Sequence, residues 1–221
     1  GGMLLIDRRP VLAGLVLGLL CYKPQLALLL PFALIGGGYW RTLAATGIGA
    51  AALTFASYLL FGAEAWIGFL HQSGFQRTLM EGSASFWHRT PTMFAMLRQA
   101  GVGVGAAYAA QFLSAALAAI GVALAWHRPG PTEVKAAVLL IAIFLATPYA
   151  WDYDLVALVF AVAWLARDAA RTGFLPWEKL VFTLLLLLPL AWLTKGFSPQ
   201  LGPVVLWAAF GLAVKRALLN E

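Results

Sequence analysis

Two carboxylates, Asp152 and Asp154, interrupt an otherwise uncharged stretch of the chain in the segment ATPYAWDYDLV at 146–156. On a helix, two side chains at this spacing diverge by about 200°, whereas extended backbone places both on one side. One Asp after Pro148 could cap the next helix by accepting backbone N–H bonds. The second is surplus to capping and, between aromatic residues, suggests a polar site that contacts a sugar. The residues alone leave both interpretations open.

Lys23 is a cation inside an apolar stretch, GLLCYKPQLALLLP. An ammonium at a membrane surface is a suitable point charge for the phosphate of a lipid-linked substrate, and partial desolvation strengthens that interaction. A lysine that only ends a short helix and extends its amine to the interface would have the same sequence pattern. The spacing does not decide between the two.

Three further residues, His88, Arg89 and Arg98 in SFWHRTPTMFAMLRQAG, could form an anion-binding pocket. The alternative is that the arginines contact lipid headgroups beside neighbouring aromatic residues. The chain shows no zinc-ligand spacing, no phosphate-binding glycine loop and no nucleophile elbow. We therefore expect no metal site and no cofactor, although a divalent ion is not excluded, and we assign no catalytic residue.

The elements that position these residues must be membrane helices. Hydrophobic residues make up 62% of the 221 residues and charged residues 11%, whereas a soluble domain is about half apolar and a quarter charged. The apolar runs are continuous rather than alternating, which favours helices over a β-barrel. The chain is predicted to be all-α: a polytopic transmembrane helical bundle with short or re-entrant helices. The formal charge of +6 is attributed to basic inner loops, not to nucleic-acid binding.

The apolar segments set the predicted topology. They cover residues 10–22, 24–35, 42–61, 103–126, 134–150, 153–166, 179–194 and 201–214. Lysine and arginine are enriched in cytoplasmic loops, and ten of the 15 are assigned there: Arg8, Arg9, Arg41, Arg128, Lys135, Arg167, Arg171, Lys179, Lys215 and Arg216. The external cations are then Lys23, Arg77, Arg89, Arg98 and Lys195. This division requires residues 10–35 to form a hairpin with Lys23 at its tip, because a single span would bury the ammonium.

The same topology places Asp152 and Asp154 on the external face, together with the longest loop, 62–102. That loop mixes Trp, Phe and Leu with charged residues, as helices lying in the membrane interface do. We expect interfacial helices in it. The external face therefore carries every candidate site residue: Lys23, His88, Arg89, Arg98, Asp152 and Asp154.

Several of these segments resemble glycosyltransferase family 87. The likeness is carried by GLLCYKPQLALLLPFALIGGGYWRTL, by FGAEAWIGFL and PTMFAMLRQAG, and above all by ATPYAWDYDLVAL, and it runs from about Pro10 over most of the chain. The resemblance implies the GT-C fold and an enzyme of the plasma membrane whose active face is external. Such an enzyme would move a mannose-like sugar from a polyprenyl-phosphate donor to a glycolipid or glycan acceptor. It implies phosphate binding by Lys23 and the loop cations, and sugar or acceptor contacts by the Asp pair.

The sequence departs from this class in one respect. Enzymes of the class resemble one another in an acidic catalytic residue on the first external loop, and no carboxylate accompanies Lys23. We therefore expect residues 1–221 to be one transmembrane domain that forms the C-terminal part of a larger enzyme and is inactive alone. The competing hypotheses are a transporter or flippase-like protein, which would explain helices broken at Pro24 and Pro148, and a purely structural membrane subunit.

Overall fold

The structure is a computed structural model that describes residues 2–193 and 201–219. In this part of the chain all regular elements are helical. The α-helices are α1 (Gly2–Leu5), α2 (Pro10–Gly18), α3 (Pro24–Ala27), α4 (Leu30–Gly36), α5 (Trp40–Gly82), α6 (Ala84–Trp87), α7 (Met93–Gln99), α8 (Val104–His127), α9 (Thr132–Ala146), α10 (Leu158–Thr172), α11 (Glu178–Leu187) and α12 (Gly202–Leu219). Short 3₁₀ helices span Leu19–Tyr22, Asp152–Ala157 and Leu188–Leu193.

The protein is a multi-pass membrane helical bundle. Among the described residues, α5, α8 and α12 are long and apolar enough to cross a bilayer, and the hairpin adds two shorter apolar helices on either side of Lys23. The all-α prediction is confirmed. The proline positions also behave as their chemistry requires: Pro24 begins α3, Pro148 follows the end of α9, and Pro203 lies in the first turn of α12.

α5 differs most from its predicted span of 42–61. The helix continues to Gly82 and changes direction at Gly62, whose φ of 75° and ψ of 177° are not helical. This backbone region is essentially restricted to glycine, so Gly62 divides α5 into a first part and a distal arm, which we define as residues 63–82. The distal arm, α6 and α7 together make the predicted external loop helical.

The hairpin prediction for residues 10–35 is supported by contacts at its two ends. Tyr39, just after the segment, donates a hydrogen bond of 2.9 Å to Asp7, just before it. Thr132 at the start of α9 donates to the other oxygen of Asp7, also at 2.9 Å. The chain therefore leaves from one end of the bundle and returns to that end, with Lys23 at the turn.

Small residues allow the hairpin to approach α5 closely. A Cβ added at Gly14 would lie 2.6 Å from the Cβ of Ala45, and one added at Gly18 would lie 2.8 Å from the carbonyl oxygen of Thr46. These two glycines are four residues apart, so they share one face of α2. Membrane helices pack through such small-residue faces because lipid supplies no hydrophobic drive for association. The position of Lys23 thus depends on close packing of α2 against α5.

α9 lies at the centre of the bundle. Twelve of its 15 residues are buried, and α8, α10 and α12 pack around it. By contrast, only Thr42, Ala45 and Met80 are buried in α5. The core is therefore organised around α9, while α5 presents most of its surface to the surroundings.

The end of the bundle opposite Lys23 is held by a buried ion network. The guanidinium of Arg216 donates to Glu178 at 2.8 and 2.6 Å and to Asp168 at 2.8 Å. It also donates to the Thr172 hydroxyl and the Gly173 carbonyl. The side chains of Arg216 and Glu178 are 4% and 1% exposed, so this network joins the ends of α10 and α12 to the start of α11.

The predicted division of the cations agrees with this arrangement. The ten assigned to the cytoplasm belong to the Asp7 and Arg216 contacts or lie within four residues in sequence of a residue that does. Lys23 and Arg89 lie at the other end. Lys195, assigned to the external side, lies outside the described residues. Which end faces the cytoplasm stays a prediction.

Candidate substrate cleft

Lys23 and Asp154 form an ion pair although 131 residues separate them in sequence. The Lys23 Nζ lies 2.5 Å from Asp154 Oδ1 and 4.9 Å from the centre of the Tyr153 ring. The other oxygen of Asp154 accepts the backbone N–H of Trp151 at 3.2 Å. Asp154 therefore caps the 3₁₀ helix, as one interpretation expected, and also binds the hairpin tip.

Arg89 and Asp152 form a second, bidentate pair. The Arg89 Nε and Nη2 lie 3.0 and 3.2 Å from the two Asp152 oxygens, and the Asp152 N–H donates to the Arg89 carbonyl at 3.1 Å. Asp152 also accepts the Tyr153 N–H at 2.9 Å, and its side chain is 7% exposed. The WDYD segment thus joins the hairpin tip, through Asp154, to the 62–102 segment, through Asp152.

The other two candidates lie in separate contacts. Arg98 donates to the carbonyls of Val102 and Glu81 and lies over the Trp87 ring at 4.8 Å. His88 is hydrogen-bonded to the Gln99 amide at 3.0 Å. Arg98 thus fastens α7 to the end of the distal arm.

A cleft opens between the hairpin tip and the distal arm of α5. Its volume is about 390 Å³. The lining residues come from three parts of the chain: Tyr22, Lys23, Pro24 and Gln25; Phe69, Gln72, Ser73, Gln76, Arg77 and Met80; and Pro148 and Tyr149. Of the six predicted site residues, Lys23 alone is in this lining set.

The distal arm supplies polar residues that the sequence analysis did not include among the candidate site residues. Gln72, Ser73, Gln76 and Arg77 line the cleft, and their spacing places them on one helical face. Gln76 is oriented by Tyr149, whose hydroxyl lies 3.4 Å from its amide oxygen. The signal in the sequence is the four-residue spacing of Gln72 with Gln76 and of Ser73 with Arg77.

Both cations of the cleft have a carboxylate partner. Burial lowers the pKa of Lys23, whereas the hydrogen bond and the charge of Asp154 raise it. The second effect is larger, so the pKa lies above its ordinary value. Arg77 donates to Glu81 at 2.7 Å. Hydrogen bonds from Arg77 and Tyr108 hold the pKa of Glu81 below its ordinary value. The two cations therefore stay charged at neutral pH, and an anionic ligand would meet both.

The donor set of the cleft is one of amides, hydroxyls and cations, which suits a phosphate and a sugar rather than a metal ion. Within the described residues, no group of three or more His, Cys, Asp or Glu side chains is placed to hold a metal ion. The expectation that no cofactor is needed stays a prediction.

An apolar groove continues from this cleft. It has a volume of about 300 Å³ and shares Tyr22 and Phe69 with the cleft. Its other lining residues are Cys21, Leu53, Thr54, Ser57, Phe61, Ala65 and Trp66, on both sides of the bend at Gly62. A polar cleft thus borders an apolar groove, an arrangement suited to an amphipathic ligand.

Comparison with known proteins identifies the family. The model of glycosyltransferase family 87 matches residues 1–148. The match includes the hairpin and the distal arm and ends before Asp152 and Asp154, so the WDYD segment lies beyond it. No curated protein and no solved structure matches the chain. The family model covers more than half of the chain, and the chain therefore belongs to glycosyltransferase family 87.

Proposed function

We propose that the protein transfers a mannose-like sugar from a polyprenyl-phosphate donor to a glycolipid or glycan acceptor on the outer face of the plasma membrane. The observation that carries this proposal is the cleft at the hairpin tip, where Lys23 faces polar groups of the distal arm beside an apolar groove. The chemical groups of a lipid-linked sugar phosphate follow the same order: a hydroxyl-rich head, one phosphate and an apolar chain. Family membership favours transfer over the transport alternative.

Lys23 is the residue proposed to bind the donor phosphate. Its side chain is 25% exposed, which leaves it partly desolvated yet accessible from the cleft. A charge-assisted contact of this kind is worth about 1.5–3 kcal/mol, equivalent to a roughly ten- to hundred-fold change in affinity. Asp154 positions the ammonium when no ligand is bound.

The test is binding of polyprenyl-phosphate mannose to the chain in lipid nanodiscs. We expect Lys23→Ala to weaken binding about ten- to hundred-fold and Lys23→Arg to retain most of it, since arginine keeps the charge. Lys179→Ala, an exposed cation at the opposite end of the bundle, is the control and should change nothing. Unfolding in detergent shows whether Lys23→Ala still folds. Equal donor affinity in the alanine variant and the parent protein would refute phosphate binding by Lys23.

The external location requires a separate measurement. Cysteines introduced at Ser73 and Ser85 should react with an impermeant thiol reagent in intact cells, whereas cysteines at Thr132 and Thr172 should react only after permeabilisation. Ser73 lines the cleft, and Thr132 belongs to the Asp7 contacts. Labelling of Thr132 in intact cells would place the cleft on the cytoplasmic side.

A further inference from the structure

We propose that Gln72, Gln76 and Arg77, on one face of the distal arm, bind the head of the donor: the two glutamines bind sugar hydroxyls and Arg77 binds the phosphate opposite Lys23. This inference rests on the proposed function. It assigns the substrate-recognition surface to the external helix that follows Gly62.

The first support is placement. Gln72 and Gln76 are one helical turn apart, and Arg77 is one turn after Ser73 in the neighbouring row. All of these residues line the cleft with Lys23. Elsewhere the arm exposes apolar side chains such as Ile67, Leu70 and Phe75. The two carboxamides on the cleft side of this helix are therefore expected to contact a polar ligand.

The second support is the orientation of Gln76. Its amide oxygen accepts from the Tyr149 hydroxyl at 3.4 Å, and that hydroxyl accepts the indole N–H of Trp151 at 3.0 Å. An amide bound through its oxygen donates through its nitrogen. The chain of contacts therefore orients a hydrogen-bond donor at the cleft wall before any ligand arrives.

The third support is the state of Arg77. Its side chain is 71% exposed and uses Nε to bind Glu81. A guanidinium has five N–H donors in a planar fork, so the terminal nitrogens remain able to bind phosphate oxygens. Glu81 is itself held by Tyr108 at 3.0 Å, which keeps the arginine oriented along the arm.

The lining chemistry also indicates the class of sugar. Amides and hydroxyls both donate and accept, as the hydroxyls of a neutral hexose do. The residues that line the cleft, within the part of the chain described, include no carboxylate. The two carboxylates beside the cleft, Asp154 and Glu81, are each paired with one of its cations, so the expected head group is an uncharged sugar on a phosphate.

The experiment compares two lipids, polyprenyl-phosphate mannose and polyprenyl phosphate without sugar, binding to the chain in nanodiscs. We expect Gln72→Ala combined with Gln76→Ala to lower affinity for the mannose lipid about ten-fold and to leave affinity for the bare lipid within about two-fold, because two neutral hydrogen bonds are lost. Arg77→Ala should lower both affinities about ten-fold or more. His71→Ala, an exposed polar residue beside Gln72 that does not line the cleft, is the matched control.

Each outcome is decisive. Gln72 is exposed, so Gln72→Ala alone reports on binding without loss of a structural contact, and we expect a roughly three-fold effect confined to the mannose lipid. If the glutamine and Arg77 variants bind both lipids as the parent does while Lys23→Ala loses both, the inference is overturned and the proposed function stands. If the parent binds neither lipid, the proposed function fails as well.

Discussion

Replacing Arg216 should destabilise the bundle more than any surface change on α12. Its side chain is 4% exposed and forms ion pairs with Glu178, which is 1% exposed, and with Asp168, which is 11% exposed. Arg216→Ala would leave both carboxylates without this cation. Removing one partner of a buried ion pair costs about 3–5 kcal/mol, and two acceptors here share the same donor. We therefore expect the free energy of unfolding to fall by at least about 3 kcal/mol.

A second substitution separates charge from geometry. Arg216→Lys keeps the positive charge but cannot reproduce two parallel hydrogen bonds to Glu178 together with bonds to Asp168 and Thr172. Loss of the planar fork should cost about 1.5–3 kcal/mol, the usual value of one charge-assisted hydrogen bond.

The assay is equilibrium unfolding in mixed detergent micelles, with Lys215→Ala as the control. Lys215 is the adjacent residue, is exposed, and should change stability by less than about 0.5 kcal/mol. The expected order of stability is Lys215→Ala, then Arg216→Lys, then Arg216→Ala. If Arg216→Ala unfolds within about 1 kcal/mol of Lys215→Ala, the network does not hold this end of the bundle and the reasoning is wrong.

Three further outcomes follow from local geometry. Gly62→Ala should lower the free energy of unfolding by about 1–3 kcal/mol, because a φ of 75° is strained for alanine. The control is Gly68→Ala, which has open space around the added Cβ and should be neutral or slightly stabilising. Equal effects of the two substitutions would contradict the strain. Asp152→Asn should destabilise the protein more than Asp154→Asn, because Asp152 accepts three hydrogen bonds and Asp154 two. The measurement is the midpoint temperature of thermal unfolding, and a lower midpoint for Asp154→Asn would refute this. Gly14→Leu should prevent close packing of α2 on α5, seen as loss of folded protein in detergent, and a normal yield would argue against that contact.

Charge placement and apolar length were sufficient to predict the hairpin and its tip at Lys23, and the mixture of aromatic, aliphatic and charged residues predicted helices in the loop 62–102. These are local properties: an ammonium avoids the hydrocarbon, and continuous apolar runs form helices. The partner of Lys23 could not be predicted in this way, because Asp154 lies 131 residues away in sequence. Neither the hydrophobic periodicity nor the distribution of charged residues determines which carboxylate pairs with which cation. The interpretation of one Asp as a helix cap agrees with the contact of Asp154 with the Trp151 N–H, whereas a sugar contact by the second Asp stays a prediction.

The cleft wall was missed for a related reason. Gln72, Gln76 and Arg77 resemble the polar side of an interfacial helix, and their alignment with Lys23 depends on the bend at Gly62. A glycine in an apolar run marks several possible features, including close packing, as at Gly14, and a change of direction, as at Gly62. The two roles differ only in φ and in surrounding atoms, which the sequence does not specify.

The contrast between α9 and α5 has a consequence for how the protein tolerates mutation. A helix enclosed on nearly every side, as α9 is, is constrained in side-chain volume at each turn, so even exchanges among Val, Leu and Ile should be selected against. Most of α5 is constrained only in polarity, because its outer surface must be apolar but need not match a neighbouring side chain. A saturation mutagenesis library should therefore be depleted of almost all changes along α9. The same library should retain free exchange among apolar residues along α5, except where α2 crosses it and where the distal arm faces the cleft.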